Sequence, residues 1–283
     1  MIFDNKYKLE EKIDSGNSYI THRVLDITNG SFKALKLIHK EELNYEELEY
    51  VKKECGKLRE KWSPNVIKYK LDFFEKGFYC ILMENFTEGT LKDHLRQNNL
   101  SIDQILEWSR QLASGLTFLH NLSIIHCNLR PQNIFIKGKE LKISGLCSLK
   151  TEHRTIQSLV YTAPEFLESS DFNEKVDVWS LGCIFYEMSE YKILFGLNCS
   201  DKRTLCNQIL FSNLPMLSND NILNQIIKKM LKRNPNERLN SVEVLKEMKI
   251  LLEKRFKNVS GRSMASNHAG EKIYSSSVGS HFF

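Results

Sequence analysis

The sequence predicts an α+β fold in which a small, mainly β unit precedes a larger, mainly helical one. Polar and apolar residues roughly alternate over residues 7–40, around the turn signal Asn29-Gly30, as in half-buried strands. After Glu88-Gly89 the apolar residues recur at three- and four-residue spacing, which is typical of amphipathic helices. Residues 176–188 are apolar nearly all round and therefore predict a buried helix.

The first unit contains one helix among its strands. Residues 41–61 are rich in Glu, Lys and Leu, and they predict a helix that ends before Ser63-Pro64. Two further strands are predicted over residues 66–74 and 78–83, with the turn signal Lys76-Gly77 between them.

The second unit is predicted to be helical apart from one hairpin. Its longest helix is expected over residues 102–121, where Ile105, Trp108, Leu112, Leu116 and Leu119 mark one face. Shorter helices are expected over residues 91–97, 222–231 and 242–255, and the hairpin over 134–137 and 141–144. Residues 257–283 are rich in Ser, Gly and His and predict a disordered tail.

Composition favours a cytoplasmic protein, with a nuclear one not excluded. The net charge is only +5, and basic residues alternate with acidic ones over residues 46–53, so we expect no nucleic-acid partner. No apolar run approaches the roughly 18 residues that span a bilayer, and no secretory signal begins the chain. Seven cysteines without Cys-x-x-Cys spacing indicate reduced thiols.

Several short motifs occur in a fixed order along the chain. Residues 126–136 have the frame His-x-x-Leu-x-x-x-Asn followed by an apolar run, which is the frame of a kinase catalytic loop. The other motifs are Ala34-Leu35-Lys36, Glu54, Ala163-Pro164-Glu165, Asp177-Val178-Trp179-Ser180-Leu181-Gly182 and Asn234-Pro235-Asn236-Glu237-Arg238. Together they resemble the eukaryotic protein-kinase superfamily, in its Ser/Thr-kinase-like form, over roughly residues 7–255.

The resemblance implies a two-lobed fold and assigns structural roles to several residues. The domain would cover residues 1–256, with an N-lobe at about 7–84, a hinge at about 84–90 and a C-lobe at about 91–256. Glu165 and Arg238 would form a buried ion pair, and Asp177 would accept backbone N–H bonds from the loop around His126. A stacked apolar column would join the lobes through Leu58, Tyr69, His126 and Leu146.

The resemblance also implies a nucleotide cleft that could bind ATP. Its residues would be Gly16, Ala34, Lys36, Glu54, Glu84, Asn133 and Phe135. Lys36, expected to pair with Glu54, could reach the α- and β-phosphates, or the pair could simply tie the helix to the sheet.

The chain departs from the family pattern where the chemistry is done. Only Gly16 remains of the glycine-rich loop, in which Asp14 adds negative charge and Tyr19 adds bulk. Asn128 stands at the position of the proton-accepting Asp, and a neutral amide is not a useful general base at pH 7. Arg130 stands where Ser/Thr kinases usually carry Lys, which keeps the charge but not its compact geometry.

The metal-binding position is also lost. Gly145 replaces the metal-binding Asp, and no Asp occurs between Asp103 and Asp171, so Mg²⁺ binding is not expected unless Glu152 is recruited. Cys127 replaces the Arg that docks an activation-segment phosphate, so phosphorylation of Thr151, Thr155 or Ser158 would lack its usual partner. Cys127 and Cys147 could lie close together, as two buried thiols or as a redox or metal pair.

These losses predict a pseudokinase that acts as a signalling scaffold or as an allosteric partner of an active kinase or other signalling protein. One alternative is a weakly active Ser/Thr kinase that uses ATP with Lys36, Asn128, Arg130 and Asn133. Another is a nucleotide-sensing module that binds ATP weakly and without metal.

Overall fold

The structure is a computed structural model, and it describes residues 1–16, 18–86, 88–97, 99–146, 155–169, 171–197, 199, 201–214 and 222–271. Over these residues it forms the two lobes of an α+β fold, as the sequence predicts.

The N-lobe is an antiparallel sheet with one helix packed against it. Its strand order is β1-β2-β3-β4-β6-β5, with β1 Ile2–Phe3, β2 Tyr7–Ser15, β3 Tyr19–Asp26, β4 Ser31–His39, β5 Tyr69–Glu75 and β6 Phe78–Glu84. The helix α1, Tyr45–Glu60, lies between β4 and β5 along the chain and packs against β5. Asn44 and Glu47 form a capping box at its start, which satisfies backbone N–H groups that the first turn would leave unpaired.

The C-lobe is built around two long helices. The helices α3 (Ile102–Asn121) and α6 (Lys175–Glu190) pack together, and the hairpin β7 (Ile134–Lys137) and β8 (Glu140–Ile143) lies against α3. The remaining helices are α2 Leu91–Gln97, α4 Ile156–Leu159, α5 Pro164–Glu168, α7 Lys202–Phe211, α8 Ile222–Met230 and α9 Ser241–Glu271. Sequence patterns missed α4 and α5, which are too short to show a period, and α7, which buries only Leu205 and Ile209.

At the end of the chain, residues 257–271 continue helix α9, and the expectation of a disordered tail over residues 257–283 stays a prediction. The Ser- and Gly-rich composition suggested disorder, but the segment contains no Pro and only two Gly, so little interrupts the helix that precedes it. Residues 272–283 lie outside the described part, and the proposed domain boundaries stay a prediction. Within the described residues, no helix is long and apolar enough to cross a membrane.

The four residues predicted to form the column between the lobes are all buried. Leu58, Tyr69, His126 and Leu146 are each at most 4% exposed. A continuous apolar connection between the lobes requires these side chains to be buried. The main hydrophobic core runs from the sheet into the C-lobe helices.

A buried ion pair joins Arg238, just before α9, to Glu165 on α5 in the C-lobe. The Arg238 guanidinium donates to both carboxylate oxygens of Glu165, at 2.6 and 3.0 Å, as the resemblance predicted. It also donates to the carbonyls of Lys232 and Lys175, each at 2.8 Å, and lies 5.2 Å from the Trp179 ring centre. The Arg238 side chain is therefore fully buried with its charge and its donors satisfied.

We expect Arg238→Met to destabilise the protein strongly, because it leaves the Glu165 carboxylate without its partner. Breaking such a pair costs about 3–5 kcal/mol, which urea unfolding followed by circular dichroism would measure. The control is Lys229→Met, which removes an exposed pair with Glu247 and should cost at most about 1 kcal/mol. Equal losses in the two variants would contradict a structural role for Arg238.

Candidate functional site

The loop that would carry the catalytic residues is held in place by one carboxylate. Asp177 is fully buried on α6 and accepts the backbone N–H of His126 at 2.8 Å and that of Cys127 at 2.9 Å. His120 also lies within hydrogen-bonding distance of it, with Nε2 at 3.0 Å from Oδ2. These bonds fix a bend in which Cys127 has a φ of +60°, a backbone conformation that non-glycine residues rarely adopt.

His126 connects this loop to the end of β8. Its Nε2 lies 2.7 Å from the Ser144 carbonyl, and the Asn128 backbone N–H donates to its Nδ1 at 3.2 Å. Burial lowers the pKa of this imidazole, although the charge of Asp177 opposes the shift. A neutral ring with its proton on Nε2 satisfies both contacts, so His126 acts here as a structural connector.

The two asparagines of the loop bind each other. The Asn133 side chain donates from Nδ2 to the backbone carbonyl of Asn128 at 2.7 Å, so this N–H group is engaged in shaping the loop. Arg130 lies on the same loop, partly buried, and among the described residues its Nε has no hydrogen-bond partner. Neither asparagine offers a group that can accept a proton near neutral pH.

Gly145 occupies the metal-binding position in a conformation and a packing that favour glycine. Its φ is +79°, and a Cβ added to it would lie 2.7 Å from Cγ and 2.8 Å from Nδ2 of Asn133. A larger residue would therefore be strained at this φ and would need the Asn133 side chain to move. The sequence shows that the carboxylate is missing, and the structure adds that Asn133 packs against the glycine in its place.

The lysine expected to bind phosphates is occupied by the protein itself. Lys36 is buried, its ammonium donates to the Leu146 carbonyl at 3.2 Å, and its Nζ lies 4.1 Å from the Tyr19 ring centre. The Tyr19 hydroxyl donates in turn to Asp14 Oδ2 at 3.0 Å. A cation against an aromatic face is a favourable contact worth about 2 kcal/mol when it is desolvated.

Gly16 allows this placement of Tyr19. Its backbone N–H donates to the Tyr19 carbonyl at 3.0 Å, closing the turn between β2 and β3. A Cβ at Gly16 would lie 2.4 Å from Cε1 of the Tyr19 ring. The surviving glycine of the loop thus makes room for an aromatic ring.

The cavity that Tyr19 and Lys36 line between the lobes is small as a result. As bounded by the described residues it has a volume of about 20 Å³, enough for roughly one water, whereas ligand pockets usually have about 300–1,000 Å³. Phe86 and Phe135 close another part of it, with ring centres 3.9 Å apart. Of the residues predicted to bind nucleotide, Lys36, Asn133 and Phe135 line this cleft. Ala34 and Glu54 are buried, with Ala34 opposite Met83 in the sheet.

The Glu84 side chain points away from the cleft. Its carboxylate binds Lys137 at 3.1 Å and Lys142 at 3.2 Å, in a groove on the other side of the hinge. The reason is strand alternation: Met83 lines the cleft, so the side chain of the next residue points to the opposite face. The Glu84 carboxylate therefore lies in the groove, and the assignment of Glu84 to a nucleotide cleft stays a prediction.

The described cleft residues do not fit a magnesium ion. Mg²⁺ is held by hard oxygen ligands that usually include one or two carboxylates. Asp14 is the only carboxylate among the described lining residues, and it accepts the Tyr19 hydroxyl. Nor does the described part of the chain hold a cluster of three His, Cys, Asp or Glu residues that could bind a metal. Glu152, considered as a recruited metal ligand, and Cys147, considered as a thiol close to Cys127, lie outside the described residues.

The end of the activation segment is folded against the C-lobe. Leu159, Val160 and Tyr161 follow the start of α4 and are all buried. The Tyr161 hydroxyl donates to Glu187 at 2.5 Å, and Lys92 binds the same carboxylate at 2.8 Å. Burial, followed by the charge of Glu187, raises the pKa of the Tyr161 phenol, which stays a donor. Sequence patterns did not indicate that Lys92, Tyr161 and Glu187 meet, because these residues are far apart in the chain.

Of the three considered phosphorylation sites, two lie among the described residues. Thr155 is exposed, whereas Ser158 is buried and its hydroxyl donates to the Thr155 carbonyl at 2.9 Å. Thr151 lies outside the described part. Of the two described residues, Thr155 is therefore the one that is accessible to another kinase in this conformation.

Comparisons with known proteins agree with the fold. Residues 7–249 match the family model described as protein kinase domain. The chain is 31% identical over 261 residues to the serine/threonine-protein kinase Nek11 of Macaca fascicularis, covering 85% of this chain and 40% of that protein. It is 26% identical over 246 residues to Nek1 of Mus musculus, covering 82% of this chain and 20% of that protein. The chain thus spans less than half the length of these relatives. By this match it belongs to the eukaryotic protein-kinase superfamily.

Proposed function

We propose that this chain is a kinase-fold protein without useful phosphotransfer, which acts by binding a protein partner. The observation that carries the proposal is the ring of Tyr19 over Lys36, beside a cavity of only about 20 Å³ among the described residues. A nucleotide cannot reach Lys36 unless this ring leaves and its contacts with Lys36 and Asp14 break.

Each requirement of phosphoryl transfer meets an obstacle in this cleft. The reaction needs phosphates held by a lysine and a glycine-rich loop, metal ions that neutralise charge, and an acceptor for the substrate proton. Lys36 and Gly16 contact Tyr19, Gly145 supplies no carboxylate and packs against Asn133, and Asn128 is a neutral amide. We therefore propose that ATP binds weakly and that Mg²⁺ does not bind.

The retained contacts maintain the fold without requiring catalysis. Glu165 with Arg238, and Asp177 with the His126 loop, stabilise the C-lobe whether or not a nucleotide is present. Such a scaffold suits a partner such as an active kinase or another signalling protein, in the cytoplasm or the nucleus. We propose no nucleic-acid or membrane role.

The alternative of a weakly active Ser/Thr kinase has one specific observation in its favour. The relatives with about 30% identity are named Ser/Thr kinases, and this chain keeps Lys36 and Asn133 at the cleft. This function requires Tyr19 to swing out and a carboxylate to be supplied from outside the described cleft residues. A nucleotide sensor without metal requires only the first of these changes.

Phosphotransfer from radiolabelled ATP is the test of the proposal. The full chain, incubated with ATP, Mg²⁺ and a generic protein substrate, should incorporate no label above a boiled control, either into itself or into the substrate. Asn128→Asp should restore nothing, because the metal still lacks a carboxylate. Incorporation that Lys36→Ala abolishes, in a variant with unchanged circular dichroism, would overturn the proposal in favour of the weak kinase.

The tight fit at Gly145 gives a second prediction. Gly145→Ala and Gly30→Ala both place a side chain at positive φ, +79° and +72°, but nothing lies within 4 Å of a Cβ at Gly30. In both variants the free energy of unfolding should fall by about 1–2 kcal/mol, because a side chain strains the backbone at positive φ. Gly145→Ala should lose about 1–3 kcal/mol more, because its methyl group meets Asn133. Urea unfolding measures both, and equal losses would show that Asn133 moves aside freely.

A further inference from the structure

A groove of about 420 Å³ lies on the side of the hinge that faces away from the cleft. Four lysines line it: Lys33, Lys68, Lys70 and Lys137. Phe32, which is 43% exposed, lines it too, and the Arg23 guanidinium lies 4.6 Å from the Phe32 ring centre. The groove is therefore basic, with one aromatic side chain on its wall.

The strand register explains why the lysines meet. Lys33 on β4 lies directly opposite Glu84 on β6, and β5 borders β6 on its other side. Lys68 and Glu84 are joined by two hydrogen bonds. The Lys68 backbone N–H donates to Glu84 Oε1 at 2.9 Å, and the Lys68 carbonyl accepts the Glu84 backbone N–H at 2.9 Å. Lys70, two residues further on in β5, lines the same groove.

The positive charge of the groove is not balanced by the protein. Glu84 is already paired with Lys137 and with the buried Lys142. Glu88, the other acid on the wall, accepts the Gly138 N–H at 2.8 Å. Among the described residues, no carboxylate lies within ion-pair distance of the remaining three lysines, Lys33, Lys68 and Lys70.

The three lysines repel one another. Partial burial lowers the pKa of the Lys70 ammonium, and the charges of Lys33 and Lys68 lower it further, with Glu84 opposing them. The Lys33 ammonium donates to the Ser31 hydroxyl, a neutral partner that leaves its charge uncompensated. A bound anion would relieve this repulsion.

From this geometry we propose that the groove binds an extended acidic segment of a partner protein, with an apolar side chain against Phe32. Charge complementarity with the three unpaired lysines selects carboxylate-rich or phosphorylated sequences.

The groove also touches the cleft through one side chain. Phe86 lines both the groove and the cleft, and its ring contacts the tilted ring of Phe135 in the cleft. A segment bound in the groove would therefore contact the residue that helps to fill the nucleotide position. This inference rests on the proposed partner-binding function and assigns a surface and a chemistry to it.

Fluorescence anisotropy of the full chain with a labelled peptide tests the inference. The probe alternates Glu with Leu and Ser and carries fluorescein, and its matched peptide has Gln in place of Glu. Lys33→Glu/Lys70→Glu should weaken binding of the Glu peptide by about tenfold or more. The control Lys53→Glu/Lys249→Glu makes the same change in net charge at exposed lysines outside the groove, and should change binding less than about twofold.

Four results would overturn the inference. They are no saturable binding of the Glu peptide, equal binding of the Gln peptide, equal weakening by the two double variants, and tighter binding of single-stranded oligouridylate through the same lysines. The last result would assign the groove to nucleic acid.

The peptide-binding assay contains no ATP, so its outcome is independent of phosphotransfer. A chain that transfers phosphate but binds the peptide refutes the proposed function alone, and an inactive chain that does not bind refutes the groove alone.

Discussion

The contact between the Tyr19 ring and the Lys36 ammonium decides what this cleft can hold. It places an aromatic side chain where the family holds phosphates, and it engages the lysine that would bind them. Asp14 accepts the Tyr19 hydroxyl, and Gly16 leaves the space into which the ring fits. In this structure the turn at Gly16 therefore supports a side chain of the protein at the place where the family's glycine-rich loop covers nucleotide.

The structure separates two sets of contacts that an active kinase needs together. The contacts that build the lobes are present and well formed, as in the bidentate pair of Arg238 with Glu165 and the bonds from Asp177 to the catalytic-type loop. The groups that would hold metal and accept a proton are replaced by Gly145 and Asn128. Since Asn133 packs against Gly145 and bonds to Asn128, these two replacements share one compact arrangement. Restoring Asp at position 128 alone would still leave Gly145 without a metal-binding carboxylate, and restoring Asp at position 145 alone would still leave Asn128 without a proton acceptor.

The sequence was sufficient for the fold because the apolar spacing and the ordered motifs describe the same two lobes. Helices α2 and α3 begin and end where the pattern indicates, and the missing carboxylate and base can be read from single positions. What it could not supply were distances between residues far apart in the chain. Tyr19 was recognised as bulky, but its place over Lys36 depends on the turn at Gly16 and the packing of the lobes. Glu84 was assigned to the cleft because its position matched the hinge, whereas strand alternation turns its carboxylate the other way.

Calorimetric titration of the purified chain with Mg·ATP tests the central claim most directly, since binding requires Tyr19 to leave Lys36. The account predicts no saturable heat at millimolar ATP for the unchanged chain or for Tyr45→Ala, in which an exposed tyrosine 78% accessible to solvent is removed. Tyr19→Ala should bind ATP measurably, and equally well with or without Mg²⁺. Saturable, Mg²⁺-dependent binding of ATP by the unchanged chain at micromolar concentrations would contradict the account.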